Sequence, residues 1–137
     1  MKIGDVAERA GTTPRTVRYY EEIGLLAGAG DRPAGAHRAY TDADLERLTH
    51  ILRLKELLGV SLDDLKAIVE AEDARAALRA EWQSGADATR KREIVEEGLA
   101  LVGRQLELVR ARRAELDGLE HELVERTGRL KLRLEEL

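Results

Sequence analysis

The sequence contains no cysteine and no phenylalanine, and only one tryptophan, one methionine and two prolines among its 137 residues. The absence of cysteine excludes disulfide bonds, thiolate metal sites and cysteine nucleophiles. With so few aromatic residues, a hydrophobic core has to be built mainly from leucine, valine, isoleucine and alanine, which is a composition that favours helices. We therefore expect a mainly α-helical fold.

Long apolar runs are also absent, since no stretch approaches the roughly 20 residues that a membrane-spanning helix needs. The N-terminus lacks the layout of a signal peptide, so we expect a cytoplasmic protein with no membrane partner. The three histidines, His37, His50 and His121, are too scattered to indicate a metal site. Because the carboxylates are dispersed without a clustered nucleophile or base, we expect neither an enzyme nor a cofactor.

The net charge of -4 is unevenly distributed along the chain. The first 60 residues hold nine basic and nine acidic residues, whereas the remainder holds 14 and 18. Residues 11–20 contain two arginines and no acid. A local basic surface can bind phosphate even when the total charge is negative, so the acidity does not exclude a nucleic-acid partner.

The opening segment has the periodicity of a short amphipathic helix. Its apolar residues recur with the spacing of one helix face, and they are Ile3, Val6, Ala7 and Ala10. Gly11 is suited to end this helix, and Thr13 followed by Pro14 is typical of the N-cap and first residue of another. Two short helices joined by so tight a turn indicate a helix-turn-helix, although helical hairpins without a special function share the pattern.

The second helix separates into two faces. Val17 and Tyr20 fall on its inner side, and the outer side carries Arg15, Arg18 and Tyr19, bordered by Thr16. This outer side is either a solvated charged face or a DNA-binding surface. A helix fits the major groove, arginine contacts guanine edges or phosphate, and threonine and tyrosine hydroxyls bond phosphate oxygens. On the second interpretation, Glu21 and Glu22 lie past the groove and point away from the DNA backbone.

Residues 27–40 are rich in glycine and alanine and are too broken for a helix, so they predict a loop or short hairpin. The alternation at the end of this segment suits a brief strand with Arg38 and Tyr40 on one side. Such an appendage beside a helix-turn-helix would be a wing.

Two further helices are predicted after the wing. Thr41 and Asp44 resemble a capping box at the start of the first, Gly59 ends it, and Ser61 caps the second. The pattern then weakens over residues 71–88, which we interpret as a short helix and a linker. The single tryptophan, Trp82, is expected to pack where these pieces meet, and a role in stacking on a ligand is the minority interpretation.

The last segment has an uninterrupted heptad repeat, which predicts a coiled coil. The d positions are Val95, Val102, Val109, Leu116, Leu123, Leu130 and Leu137. The a positions are Leu99, Leu106, Arg113, Glu120, Thr127 and Leu134. The a and d positions together form one stripe of the helix, the seam, which is apolar at its ends and polar in its middle. A helix over residues 95–137 would be roughly 64 Å long and would need a partner. A kink or helical hairpin near Gly118 or Gly128 stays open.

Four segments occur in an order and at a spacing typical of one family: IGDVAERAG, TPRTVRYYEEIGLL, HRAYTDADLERL and LLGVSLDDLKAI. Together they resemble the mercury-resistance-regulator (MerR) family of bacterial transcription factors. The resemblance covers about the first 70 residues. The run RYYEEIGLL with the following R-x-Y is more specific than a generic helix-turn-helix, and it favours DNA binding over a merely solvated surface.

The resemblance implies a winged helix-turn-helix dimer whose recognition helices enter successive major grooves of a near-palindromic promoter site. Many family members distort an overlong promoter spacer so that RNA polymerase can engage it, which makes RNA polymerase a further expected partner. The recognition-helix contacts carried over from the family are Arg15, Thr16, Arg18 and Tyr19. The wing contacts carried over are His37, Arg38 and Tyr40, with Arg32 as a further phosphate ligand. Tyr20 is either core or contact, and we favour the core.

The family's antiparallel coiled coil suits the heptad segment. The expected dimerisation residues are Val95, Leu99, Val102, Leu106, Val109, Arg113, Leu116, Glu120 and Leu123. We predict that Arg113 lies near Glu120 of the other chain, which centres the overlap close to Leu116; a shorter overlap centred nearer Leu106 is the alternative. The cysteines of the family's metal and redox sensors are absent, and we expect no appended ligand domain.

The expected organisation is therefore a winged helix-turn-helix DNA-binding domain at residues 1–70, a short helix and linker at 71–88, and a coiled-coil dimerisation helix at 89–137. The expected function is sequence-specific transcriptional regulation by a homodimer. Two alternatives stay open: a coiled-coil interaction module with a vestigial DNA-binding unit, and a small-molecule sensor with a pocket near Trp82.

Overall fold

The computed structural model describes residues 1–26 and 39–137, and in these residues it contains helices and no strand. The helices are α1 (Ile3–Ala10), α2 (Pro14–Glu22), α3 (Asp42–Leu58), α4 (Leu62–Gln83) and α5 (Ala88–Glu135). The mainly α class and the long C-terminal helix are confirmed. The predicted wing lies mostly in residues 27–38, outside the described residues.

The helix ends are where the capping residues placed them. Gly11 ends α1 and Gly59 ends α3, both in the left-handed region with φ of 77° and 57°. The Thr13 side chain accepts a hydrogen bond from the Thr16 amide, with Pro14 as the first residue of α2. Thr41 and Asp44 form the predicted capping box at the start of α3. The Asp44 amide donates to Thr41 Oγ1 at 3.2 Å, and the Thr41 amide donates to Asp44 Oδ2 at 2.9 Å.

The chain divides into two compact units, Met1–Asp73 and Ala74–Leu137. The core of the first unit is built from α1, α2, α3 and the first part of α4. Its buried members are Val6, Ala7, Val17, Tyr20, Leu25, Leu26, Tyr40, Leu48, Ile51, Leu65 and Val69. Burial of this apolar set fixes α2 against its neighbours, so that the opposite side of α2 is left facing solvent.

Polar contacts also tie the elements of the first unit together. The guanidinium of Arg47 on α3 donates to the Leu25 carbonyl at 2.9 Å and to both carboxylate oxygens of Asp73 on α4, at 2.7 and 3.0 Å. The ring of His50 lies 2.6 Å from the carboxylate of Glu72. The hydrogen bonds from Arg47 hold the pKa of Asp73 below its ordinary value, and burial opposes this shift. Arg47 therefore joins α3, α4 and the segment that follows α2.

The second unit contains the end of α4, a short turn, and α5. We predicted a short helix and a linker over residues 71–88; instead α4 continues without interruption to Gln83, and only residues 84–87 are outside a helix. The amphipathic pattern weakens in this region, but its residues are good helix formers rich in alanine, and they therefore continue the helix. Asp87 caps α5 by accepting from the Arg90 amide at 2.8 Å.

Helix α5 runs unbroken for 48 residues, about 72 Å at the usual helical rise. It continues through Gly118 and Gly128, so the helical hairpin that the sequence left open does not form. None of the helices in the described part of the chain is long and apolar enough to cross a membrane.

Candidate nucleic-acid interface

Helix α2 presents a cationic outer face because its inner face is locked into the core. Val17 and Tyr20 are 0% and 1% exposed, whereas Arg15 and Arg18 are exposed and Tyr19 keeps 44% of its surface in solvent. The prediction that Tyr20 is a core residue is therefore confirmed. Its ring lies 6.3 Å from that of Tyr19, with the two planes inclined at 44°. Within residues 1–26 and 39–137, the Tyr20 hydroxyl has no hydrogen-bond partner.

The two arginines of α2 are available for an external anion. Among the described residues, neither Arg15 nor Arg18 forms an ion pair or a hydrogen bond through its side chain. The first turn of α2 contains no acidic residue, so the positive end of the helix dipole is not offset there. The predicted recognition surface is thus an exposed face with one aromatic ring and two positive charges that have no partner in residues 1–26 and 39–137.

Thr16 has a different environment from the other predicted contacts. Its hydroxyl lies 3.1 Å from the hydroxyl of Thr13, whose oxygen also accepts from the Thr16 amide. The side chain is half-buried at the N-terminal end of the helix. Thr16 therefore lies at the border of the cationic face, as the sequence predicted, and it also belongs to the capping structure of α2.

The two acids at the end of α2 have different environments. We predicted that Glu21 and Glu22 lie past a DNA groove and point away from the DNA backbone. Glu21 is buried, with 6% of its surface exposed, and it accepts a hydrogen bond from the Tyr40 hydroxyl. Glu22, the neighbouring acid, is exposed. The burial of Glu21 could have been predicted from the sequence, because Glu21 follows the buried Val17 by four residues and therefore shares its helix face.

Tyr40 was predicted to be a wing contact, and its burial argues against that role. Its side chain is a member of the core, with 4% of its surface exposed. Its amide also donates to the Met1 carbonyl at 2.7 Å. The other predicted wing contacts, Arg32, His37 and Arg38, lie outside the described residues.

The predicted dimerisation seam forms an exposed apolar stripe along α5. Each of its apolar members is 42% to 69% exposed, and these are Val95, Leu99, Val102, Leu106, Val109, Leu116 and Leu123. The polar seam residues Arg113 and Glu120 are exposed as well, and within the described residues neither has an ion-pair partner. Apolar stripes of this length are usually covered by a partner.

The family model for MerR HTH regulatory proteins matches residues 1–72, slightly more than half of the chain. The chain belongs to the MerR family. The HTH-type transcriptional regulator YfmP of Bacillus subtilis strain 168 is 37% identical over 109 residues, which are 80% of this chain and 77% of that protein. The HTH-type transcriptional activator TipA of Streptomyces coelicolor is 47% identical over 79 residues, covering 56% of this chain but only 30% of TipA.

The chain is also similar to a solved structure of a MerR family member. It is the crystal structure of HiNmlR, a MerR family regulator lacking the sensor domain, bound to promoter DNA. The two chains are 29% identical, with a TM-score of 0.50, and the match covers 87% of this chain and 76% of that one.

Proposed function

We propose that this MerR-family chain is a sequence-specific transcriptional regulator that binds a near-palindromic promoter site as a homodimer in the cytoplasm. The observation that carries the proposal is the outer face of α2. There Arg15, Arg18 and Tyr19 project from a helix whose opposite face is buried, and neither arginine has a counterion among the described residues.

The chemistry of this face suits the DNA major groove. Guanidinium groups hydrogen-bond to guanine edges or bind phosphate, and a half-exposed tyrosine offers a hydroxyl to a phosphate oxygen. The related HiNmlR is bound to promoter DNA, which supports the same partner here. We assign the recognition contacts to Arg15, Thr16, Arg18 and Tyr19, and the wing contacts to Arg32, His37 and Arg38. Tyr40 is not included because its side chain is buried.

The exposed seam of α5 supports the homodimer. A two-fold axis places identical surfaces against each other, so an antiparallel pair of α5 helices would cover the apolar stripe of both chains at once. In that arrangement Arg113 meets Glu120 of the second copy when the overlap centres close to Leu116. The polar middle of the seam would then fix its register.

We further propose that the dimer distorts the promoter spacer and so influences RNA polymerase. A promoter spacer that does not match the separation of the two recognition helices in a dimer has to bend or untwist on binding. The relatives do not favour the two alternatives as the main function, because YfmP and TipA are both HTH-type transcriptional regulators.

Selection of binding sites from random duplex DNA tests this proposal. We expect the purified chain to enrich a site with two-fold symmetry, because each protomer of a symmetric dimer reads one half-site. The matched control is the double variant Arg15→Ala, Arg18→Ala, which should enrich nothing above background. Enrichment of asymmetric sites, or of none by the unaltered dimer at low salt, would contradict the proposal.

A further inference from the structure

A hollow of about 270 Å³ lies entirely within the second unit, beside the last turns of α4. From α4 it is lined by two arginines and two large apolar side chains, and from α5 by aliphatic side chains. The residues that matter here are Arg75, Leu78, Arg79, Trp82, Ile94 and Val102. Its volume approaches the lower end of the range for small-molecule sites, and it has their combination of apolar walls and a few polar groups.

The two arginines of the hollow lack a counterion. Arg75 and Arg79 lie one turn apart on α4, and in the described part of the chain neither forms an ion pair. The Nε atom of Arg75 is buried and has no hydrogen-bond partner there. A buried donor without a hydrogen-bond partner destabilises a folded protein. A ligand that accepts a hydrogen bond from this Nε atom would remove that cost.

Several acidic residues of α4 and α5 already form ion pairs with residues other than Arg75 and Arg79. Arg90 alone binds Glu81, Glu93 and Glu97. The acids that precede Arg75 in the sequence are also occupied, since Asp73 binds Arg47 and Glu72 contacts His50. The whole chain has 27 acidic and 23 basic residues. Within the described residues, Arg75, which is half-buried, and Arg79, which is exposed, therefore remain without a counterion at this hollow.

The walls of the hollow indicate the rest of the ligand. Trp82 is 41% exposed, Leu78 and Ile94 add aliphatic surface, and Val102 of the proposed dimer seam borders the hollow. The ammonium group of Lys91 lies 4.9 Å from the centroid of the Trp82 ring, which adds positive charge to the neighbourhood. A ligand that fits this hollow needs an anionic group, which the two guanidinium groups can bind. It also needs a flat apolar body, which can pack against the walls.

We propose that this hollow binds a small organic acid, a carboxylate attached to a ring-sized apolar body. The carboxylate pairs with Arg75 and Arg79, and the ring packs against Trp82 and the aliphatic walls. The residues that line this site belong to the second unit, whereas the cationic face of α2 belongs to the first.

The chain contains a single tryptophan, so the indole N–H resonance of Trp82 reports directly on the hollow. The experiment titrates the full-length protein with 2-naphthoate and, separately, with the neutral 2-naphthamide, while the ¹H–¹⁵N spectrum is recorded. We expect a saturable shift of the Trp82 resonance with naphthoate and no saturation with the amide at the same concentrations. Equal binding of the two probes, or no shift with naphthoate, would overturn the proposal.

Arginine variants test the role of charge. Arg75→Gln and Arg79→Gln should each weaken naphthoate binding about tenfold, because each removes a charge-assisted hydrogen bond. Arg92→Gln is the matched control, since Arg92 is an exposed arginine of the same unit that pairs with Glu96, and it should change the affinity less than about twofold. Equal effects of all three variants would show nonspecific charge attraction and overturn the proposal.

The competing occupant is a carboxylate of a second copy of the chain, and sedimentation equilibrium distinguishes it. If the organic acid is the occupant, Arg75→Gln and Arg79→Gln self-associate as the unaltered chain does. The opposite outcome is that these variants are monomeric and that naphthoate causes no shift in the unaltered protein. The arginines would then pair with the second copy of the chain, and the proposal would be wrong.

Discussion

The Tyr40 hydroxyl donates a hydrogen bond to the carboxylate of Glu21, and both side chains are buried. This contact joins the C-terminal turn of α2 to the residue that immediately precedes the capping box of α3. The amide of Tyr40 is also bonded to the Met1 carbonyl. Tyr40 thus connects the start of the chain, the end of α2 and the start of α3, and it helps to fix the orientation of α2.

Replacing Tyr40 by phenylalanine should destabilise the first unit by about 1 to 3 kcal/mol, because a buried carboxylate loses a hydrogen bond while the ring packing is kept. Urea unfolding monitored by circular dichroism measures the change in the free energy of unfolding. The control is Tyr19→Phe, which removes a hydroxyl from a half-exposed ring and should stay within about 0.5 kcal/mol of the unaltered protein. Equal stability of the two variants would contradict the assigned contact.

The end of α1 and the starts of α2 and α3 were predictable from sequence because they depend on local chemistry. A glycine at position 11, the Thr13-Pro14 pair and the Thr41/Asp44 capping box each act within four residues of where they occur. The contacts that orient α2 were not predictable in the same way, since Glu21 meets Tyr40 nineteen residues away and Arg47 reaches Asp73 twenty-six residues away. Their partners depend on how the helices pack.

The continuation of α4 to Gln83 shows a second limit of prediction from sequence, namely that of amphipathic periodicity. Amphipathic periodicity reports a buried face, and it weakens where a helix is mostly exposed, as α4 is beyond residue 73. Helix propensity was the better guide there, because the segment is rich in alanine. The hollow beside Trp82 depends on two helices at once, so the sequence could mark the tryptophan but could not identify Arg75 and Arg79 as its neighbours.

The Arg47–Asp73 ion pair should make the stability of the first unit depend on pH. The hydrogen bonds from Arg47 lower the pKa of Asp73 below its ordinary 3.8. An acid whose pKa is lowered by folding stabilises the fold above its unfolded pKa, and this contribution is lost as the pH falls through the folded pKa. Because the pair is partly exposed, we expect Asp73→Asn to cost up to about 1 kcal/mol at neutral pH.

The measurement is the free energy of unfolding of the unaltered protein and of Asp73→Asn between neutral and strongly acidic pH. The difference between them should shrink below about pH 4, as Asp73 itself becomes protonated. Asp117→Asn removes an exposed carboxylate of α5 and should show a much smaller difference at every pH. A gap for Asp73→Asn that stays constant into strong acid would mean that the effect is not electrostatic.

The cationic face of α2 should determine both the affinity for DNA and its dependence on salt. Arg15→Ala or Arg18→Ala should weaken promoter binding, and an arginine that contacts phosphate should also reduce the slope of log affinity against log salt by about 1. If one of them reads a guanine edge instead, its loss should cost about 1 to 3 kcal/mol and relax specificity at one base pair. Electrophoretic mobility shifts over a salt series measure both quantities.

Arg126→Ala is the control for these variants, because Arg126 is an exposed arginine on α5 and the substitution changes the net charge by the same amount. It should leave the salt slope unchanged. If all three variants weaken binding to the same small extent, the effect comes from total charge, and the assignment of α2 as the recognition helix is wrong.

A charge exchange tests the proposed register of the α5 dimer. When Arg113 of one chain lies opposite Glu120 of the other, the two-fold axis creates two such pairs per dimer. Arg113→Glu or Glu120→Arg alone should then place like charges together twice and weaken self-association, whereas the double variant should restore it. Sedimentation equilibrium measures the dimer dissociation constants. An overlap centred near Leu106 separates these positions, so in that case the double variant would not rescue the dimer.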